Sequence, residues 1–215
     1  MDLLPDLDPG LTVLETPDPR SPSLHRLALD AHAARDGRTF WIDARNAAST
    51  RVFYDLVDHD RRLRSVRVAR AFTAYQHHSL VRRTLQRAGP RTGLVVAANV
   101  GSLYADPDVP EYDRDPMLRS SLEALAGLAE ARSIPVLAST AGALADRVRA
   151  AADRVITCEA TGEGHRYVGP DTETPAYRGP GYWQTTIAYW LELVGPVETH
   201  PGAAVHERVP PRVEG

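Results

Sequence analysis

Residues 65–101 read Ser-Val-Arg-Val-Ala-Arg-Ala-Phe-Thr-Ala-Tyr-Gln, then a mixed polar and apolar run, then Thr-Gly-Leu-Val-Val-Ala-Ala-Asn-Val-Gly. The stretch reads as strand, helix, strand. Val66 to Phe72 is short and apolar at every second place. Thr73 suits the cap of a helix that brings Tyr75, Leu80, Val81 and Leu85 to one face, and Gly89-Pro90 stops that helix. Leu94 to Val100 is apolar without alternation, as a strand of a parallel sheet buried on both faces must be. Helices have to cover both faces of such a strand, so the chain is expected to be α/β. The strand carries no acidic residue.

Working outward, Leu11 to Glu15 reads as a first strand. Ser21 caps, and Pro22 opens, a helix with Leu24, Leu27, Ala28 and Ala31 on its inner face, ended by Gly37. Thr39 to Ala44 is a second strand, and Ser49 caps a helix that turns Val52, Phe53, Leu56 and Val57 inward. On the other side, Ser102 to Pro116 is a loop rich in Asp and Pro, of a length kept for function or disorder. Met117, Leu118, Leu122, Leu125 and Leu128 mark an amphipathic helix. Ile134 to Leu137 is a strand, 141–152 a helix, and 154–160 with 164–169 a final hairpin. Residues 181–194 pack as a last strand or helix. These elements predict a doubly wound, mainly parallel sheet flanked by helices, with a C-terminal antiparallel hairpin and ligands at the carboxyl ends of the strands. A single domain is expected over 1–195, its core at about 10–170, followed by a disordered, proline-rich tail at 196–215.

All 25 basic residues among the 215 are arginine. This is the composition of a high-GC or salt-adapted genome. Its chemical consequence is firm: with no lysine there is neither a phosphate-binding P-loop lysine nor Schiff-base chemistry. The single cysteine, Cys158, has no partner for an internal disulfide, no basic-then-apolar leader opens the chain, and no apolar run reaches the ~20 residues of a membrane span. A cytoplasmic location away from membranes is expected. His77-His78 diverge by about 100° on a helix, and no other cluster has the spacing of metal ligands or of a nucleophile with its base, so neither metal nor cofactor is expected.

Taken together, Gly10-Leu-Thr-Val-Leu-Glu15, Trp41-Ile-Asp-Ala-Arg-Asn46, Val68-Ala-Arg-Ala-Phe72 and Leu94-Val-Val-Ala-Ala-Asn99 resemble the first four strands of the RecA/RadA recombinase superfamily. The likeness is nearest to archaeal, RadB-like paralogues of haloarchaeal type. The resemblance implies a RecA-like core and an ATPase built from fixed parts, and each part is degenerate here. The phosphate loop is replaced by Glu15-Thr-Pro-Asp-Pro-Arg-Ser-Pro-Ser23, without glycine and with three prolines that donate nothing. Arg45 stands where the water-positioning acid is expected, Ala98 where the magnesium-holding acid is expected, and Ser139-Thr140 near the polar sensor. The residual nucleotide-site positions are Arg20, Ser21, Asp43, Arg45 and Ala98, and catalysis is expected to be lost.

What such a protein retains is binding. Arg61, Arg62, Arg64, Arg67, Arg82, Arg83 and Arg87 fall in a segment that has no acid after Asp60, a local positive field for DNA phosphates. The acids of 102–116 would repel phosphate from the loop that the family uses on DNA. Ala69, Ala71, Tyr75 and Leu80 match the groove that receives a neighbour's apolar residue in family filaments. The leading expectation is a pseudo-ATPase acting as an accessory of DNA recombination or repair, with DNA, a RadA-type recombinase or another protein as partner. The alternatives are an ATPase with a rearranged site, using Arg20 and Arg45 on phosphates and Asp43 on metal, and a protein-interaction scaffold that does not bind DNA. The oligomeric state is left open.

Overall fold

The computed structural model describes residues 4–16, 18–161, 164–170, 172–173, 176–179 and 182–185. In chain order the elements are β1 (Gly10–Glu15), α1 (Pro22–Ala33), β2 (Arg38–Ala44), α2 (Thr50–Leu56), a 3-10 turn (Asp60–Ser65), β3 (Val66–Ala71), α3 (Ala74–Arg87) and β4 (Thr92–Ala98). There follow α4 (Glu111–Arg132), β5 (Pro135–Thr140), α5 (Ala145–Ala150), β6 (Arg154–Thr161), β7 (Gly164–Gly169), β8 (Thr172–Glu173), β9 (Ala176–Gly179) and β10 (Tyr182–Thr185). One sheet runs in the order β3-β2-β4-β5-β1-β6-β7-β8, and β9 pairs with β10 in a separate ribbon. From β3 to β6 every neighbouring pair is parallel. β7 then folds back antiparallel on β6, and β8 on β7.

Parallel pairing demands crossovers, and the crossover helices bury both faces of the sheet. β4 records this residue by residue. Val95 and Ala97 enter one core with Val13, Ile42, Val136 and the α4 residues Leu122 and Leu125. Leu94, Val96 and Ala98 enter the other with Leu14, Leu27, Trp41 and Phe53. Both sets are fully buried, so the strand shows no polar alternation. Two caps lie where the sequence places them: the Ser21 hydroxyl accepts from Ser23 N at 3.3 Å and the Thr73 hydroxyl from Gln76 N at 3.2 Å.

Several expectations are corrected. The fully buried residues of α3 are Ala74, His77, Val81 and Thr84; of the expected face, Val81 is among them, Leu80 and Leu85 are partly buried against the same core, and Tyr75 is half exposed. Of the polar residues in the core stripe, His77 lies with Nδ1 2.8 Å from the Tyr104 hydroxyl and Nε2 buried without a partner, and the Thr84 hydroxyl donates to Leu80 O at 2.9 Å. The segment 102–116 is no long open loop. α4 starts at Glu111 and runs through Pro116, and Leu103, Tyr104 and Val109 are buried in the turns before it. The helix expected over 141–152 contracts to α5. In α2 only Phe53 is buried, and Ser49 makes no side-chain cap. β3 is an edge strand that ends at Ala71, leaving Val68 and Phe72 exposed. Residues 186–194 and the tail 196–215 lie outside the described residues.

Candidate functional site

The loop from β1 to α1 satisfies its own polar groups. Asp18 organises it: Oδ1 accepts from Arg20 N at 2.8 Å, and its carbonyl accepts from Ser21 N at 2.9 Å and from the Thr16 hydroxyl at 3.0 Å. The Ser21 hydroxyl, which caps Ser23 N, also meets His165 Nε2 at 3.1 Å. Pro19 and Pro22 have no N–H. A phosphate at a helix start needs converging free donors. Here the donors that are present are turned onto Asp18 and Ser21, and the Arg20 side chain is exposed.

The remaining expected nucleotide positions are committed elsewhere. Asp43 and Ala98 face each other in register at the ends of β2 and β4, and both are fully buried. Asp43 Oδ1 accepts from Ala48 N at 3.0 Å and Oδ2 from Arg70 Nε at 3.2 Å, and the side chain is fully buried. Burial raises the Asp43 pKa, while the Ala48 N–H and the Arg70 guanidinium oppose the rise. Arg45, in the left-handed region at φ 59°, is paired with Asp106 and donates to Ser102 O at 3.3 Å. Beyond Ala98, Asn99 N donates to the Ser139 hydroxyl at 2.9 Å, and the Thr140 hydroxyl donates to Val100 O at 3.2 Å. Arg147 pairs with Asp115 and Arg149 with Glu15, which neutralises part of the acid-rich corner. Among the described residues no group of three or more His, Cys, Asp or Glu is placed to hold a metal ion.

The open part of the molecule is the other edge. Among the described residues β3 pairs only with β2, so its outer N–H and C=O groups have no strand partner. On its α3 side lies a groove of about 490 Å³ lined by Phe40, Val68, Ala69, Leu80 and Thr84 together with Arg38, Arg67, Arg83 and Arg87. Of the expected interface residues, Ala69 and Leu80 line this groove. Ala71 is fully buried beneath the sheet surface, and Tyr75 is turned toward α4, its hydroxyl 3.3 Å from Asp113 Oδ2. Of the seven expected nucleic-acid arginines, Arg67, Arg83 and Arg87 come together here. Arg62 instead lines a polar cavity with Arg26 and His32, while Arg61, Arg64 and Arg82 are exposed outside the groove.

Among the described residues none of these seven arginines, nor Arg38, is ion-paired, in contrast to Arg45, Arg147 and Arg149. A second cavity, of about 270 Å³, opens on the α2 side of the same strand, lined by Thr50, Phe53, Tyr54, Leu63, Val66, Val68 and Arg70. Sequence reasoning missed Phe40, Tyr54 and Leu63. The only hint was the Val66/Val68 alternation, which marks a strand face without saying that it is uncovered.

Fold and site therefore define a doubly wound α/β protein with an arginine-rich, open sheet edge. No family model matches the chain, and no curated protein matches it.

Proposed function

We propose that this protein is a RecA-like accessory factor of DNA recombination or repair that does not hydrolyse ATP and works by binding a partner on its β3–α3 face. The RecA-like reading is supported by the parallel run from β3 to β6 closed by antiparallel β7, and by the quoted motifs falling on β1, β2, β3 and β4. Loss of hydrolysis is supported by the β1–α1 loop, whose donors serve Asp18 and Ser21, and by Ala98 at the expected metal position. The kinship carries the biological context, so that context is an analogy from fold to role.

The observation that carries the binding reading is the groove, whose lining combines the apolar Phe40, Val68, Ala69 and Leu80 with four arginines and no carboxylate. A protein of the RadA type is the first partner, because the apolar part of that lining accepts a side chain. DNA is the second reading, favoured by the exposed, unpaired arginines of the 3-10 turn and α3. The test is equilibrium titration of the full chain with a purified RadA-type recombinase and with labelled single- and double-stranded DNA. Each titration spans a range of salt, with and without ATP and magnesium. Binding that ignores ATP is expected. Stoichiometric nucleotide binding with magnesium-dependent turnover overturns the reading in favour of a rearranged ATPase.

A further inference from the structure

Of the large apolar side chains left exposed among the described residues, Tyr54 and Val68 belong to the α2 side of β3. The other three, Phe72, Tyr75 and Tyr112, lie at the carboxyl end of the sheet, where α3 and α4 both begin. They are 63%, 50% and 78% exposed, and none belongs to either core. The backbone that carries them is fixed without their help. Phe72 N donates to Gln76 Oε1 at 2.9 Å and Gln76 N to the Thr73 hydroxyl at 3.2 Å, a reciprocal cap at the start of α3. The Tyr75 hydroxyl donates to Asp113 Oδ2 at 3.3 Å and so ties the two helix starts together. Its phenol is also close enough to that of Tyr112 to feel its charge. Aromatic surface held out on a fixed corner marks a place of contact.

The charge around these rings is of one sign. Asp108, Glu111 and Asp113 take part in no ion pair among the described residues. Cations that reach the same turns are committed: Arg45 to Asp106, Arg147 to Asp115, and Arg114 to the carbonyls of Val109 and Asp106. Such a surface repels phosphate, and among the described residues no group of three or more His, Cys, Asp or Glu is placed to hold a metal ion. A guanidinium or ammonium suits both features. Its aliphatic stem lies on an aromatic ring, its charge meets the negative face of the ring, and carboxylates accept from its N–H groups.

We infer that this corner docks a basic segment of a partner protein, its arginine or lysine side chains laid on Tyr75 and Tyr112 with their charges toward Asp108, Glu111 and Asp113. The surface is separate from the β3–α3 groove. Arg87 of that groove ends α3, about 18 Å along the helix from Tyr75 at 1.5 Å per residue. The groove is lined by arginine and the corner by carboxylates, so the two select different partners. The inference therefore stands independently of the reading of the groove.

The test uses the full chain and a fluorescein-labelled decapeptide with Arg-Ser-Arg-Ser-Arg at its centre, read by anisotropy over a range of salt. The control peptide carries citrulline, the uncharged analogue, in place of each arginine. The arginine peptide is expected to bind roughly tenfold tighter or more. Tyr112→Ala is expected to weaken it about fivefold, the value of one exposed cation–π contact. The pair Asp108→Asn and Glu111→Gln is expected to weaken it by about the same factor. The pair Glu123→Gln and Glu130→Gln, further along α4, removes equal charge and is expected to leave binding within about twofold. All five side chains are exposed, so circular dichroism is expected to be unchanged.

Equal losses from the two carboxylate pairs, or indifference to Tyr112→Ala, reduce the effect to general attraction by an acidic surface and overturn the inference. No preference for the arginine peptide over the citrulline peptide overturns it outright. Self-association abolished by Tyr112→Ala, without peptide binding, assigns the corner to a second copy of the chain. Single-stranded DNA binding abolished by Tyr112→Ala assigns it to nucleic acid. Each of these two results also overturns the inference. None of the variants lies in the β3–α3 groove, so failure here leaves the titrations of that groove to be read separately.

Discussion

Asp43 on β2 and Arg70 on β3 are register partners across the sheet, and their side chains meet at 3.2 Å on the α2 side. The carboxylate is fully buried, whereas the guanidinium is 39% exposed. Arg70 also donates to Ala48 O at 3.2 Å, so the pair pins the β2–α2 connection to the edge strand. An acid at the carboxyl end of a strand in this class of fold invites a catalytic reading. Here its neighbours make it a structural brace.

Arg70→Met leaves a buried carboxylate with only backbone donors. A loss of roughly 2–3 kcal/mol is expected, at or just below the ~3–5 kcal/mol of a fully buried broken pair because Arg70 is 39% exposed. Adding Asp43→Asn removes the uncompensated charge, so the double variant is expected to be more stable than Arg70→Met alone. Urea denaturation of the three proteins checks this, and strictly additive losses would contradict the brace.

Tyr104 joins α3 to α4 through a buried chain of hydrogen bonds. Its hydroxyl lies 2.8 Å from His77 Nδ1 and 2.8 Å from the Ser121 hydroxyl, which in turn meets His78 Nδ1 at 3.0 Å. Tyr104→Phe strands polar atoms in a buried contact and is expected to cost ~1–3 kcal/mol. Combined with Ser121→Ala the loss should be less than the sum, because the two side chains share one network.

Acid stability follows from two buried histidines. Burial lowers His25 and His77 from the ordinary 6.5 to about 4 each. In the unfolded chain both protonate near pH 6.5, so between pH 6.5 and about 4 the unfolded state binds more protons than the folded one. Stability is therefore full above pH 6.5 and falls as the pH drops through this window. Each histidine contributes up to about a tenfold change in the unfolding equilibrium per pH unit. Denaturation midpoints at pH 7.0, 5.5 and 4.5 measure it, and a flat profile contradicts the buried, neutral state of both rings.

Gly37 closes the turn into β2 at φ +120°, where a Cβ would lie 2.7 Å from Arg91 O, the acceptor of the Arg38 N–H. Gly37→Ala is expected to lose on the order of 2 kcal/mol through strain and the displaced acceptor. Gly89→Ala, with open space around the added carbon, is the control and should change the thermal midpoint little.

Local and periodic signals carried the architecture. Leu94 to Val100 announced a strand buried on both faces, Ser21-Pro22 and Thr73 announced helix starts, and the spacing of 154–160 and 164–169 announced the antiparallel return. These are properties of short windows, set by side-chain period and capping chemistry. The three prolines of the loop after β1 were also legible, and each removes one backbone donor whatever the surroundings.

Tertiary structure alone decided which residues of those windows are buried and which stay exposed. His77 and Thr84, absent from the apolar face read off the sequence, lie in the core, where His77 Nδ1 meets the distant Tyr104 hydroxyl and the Thr84 hydroxyl bonds to Leu80 O one turn away. Ala71 and Tyr75 read as groove, yet one is sealed by the sheet and the other is turned toward Asp113. Phe40 and Tyr54 carry no signal of their own. They line an open edge because β2 lies beside β3 and, among the described residues, no strand covers its far side. Strand order is a long-range property, since burial on both faces says that a strand has neighbours and cannot say which; only the folded sheet determines where it stops.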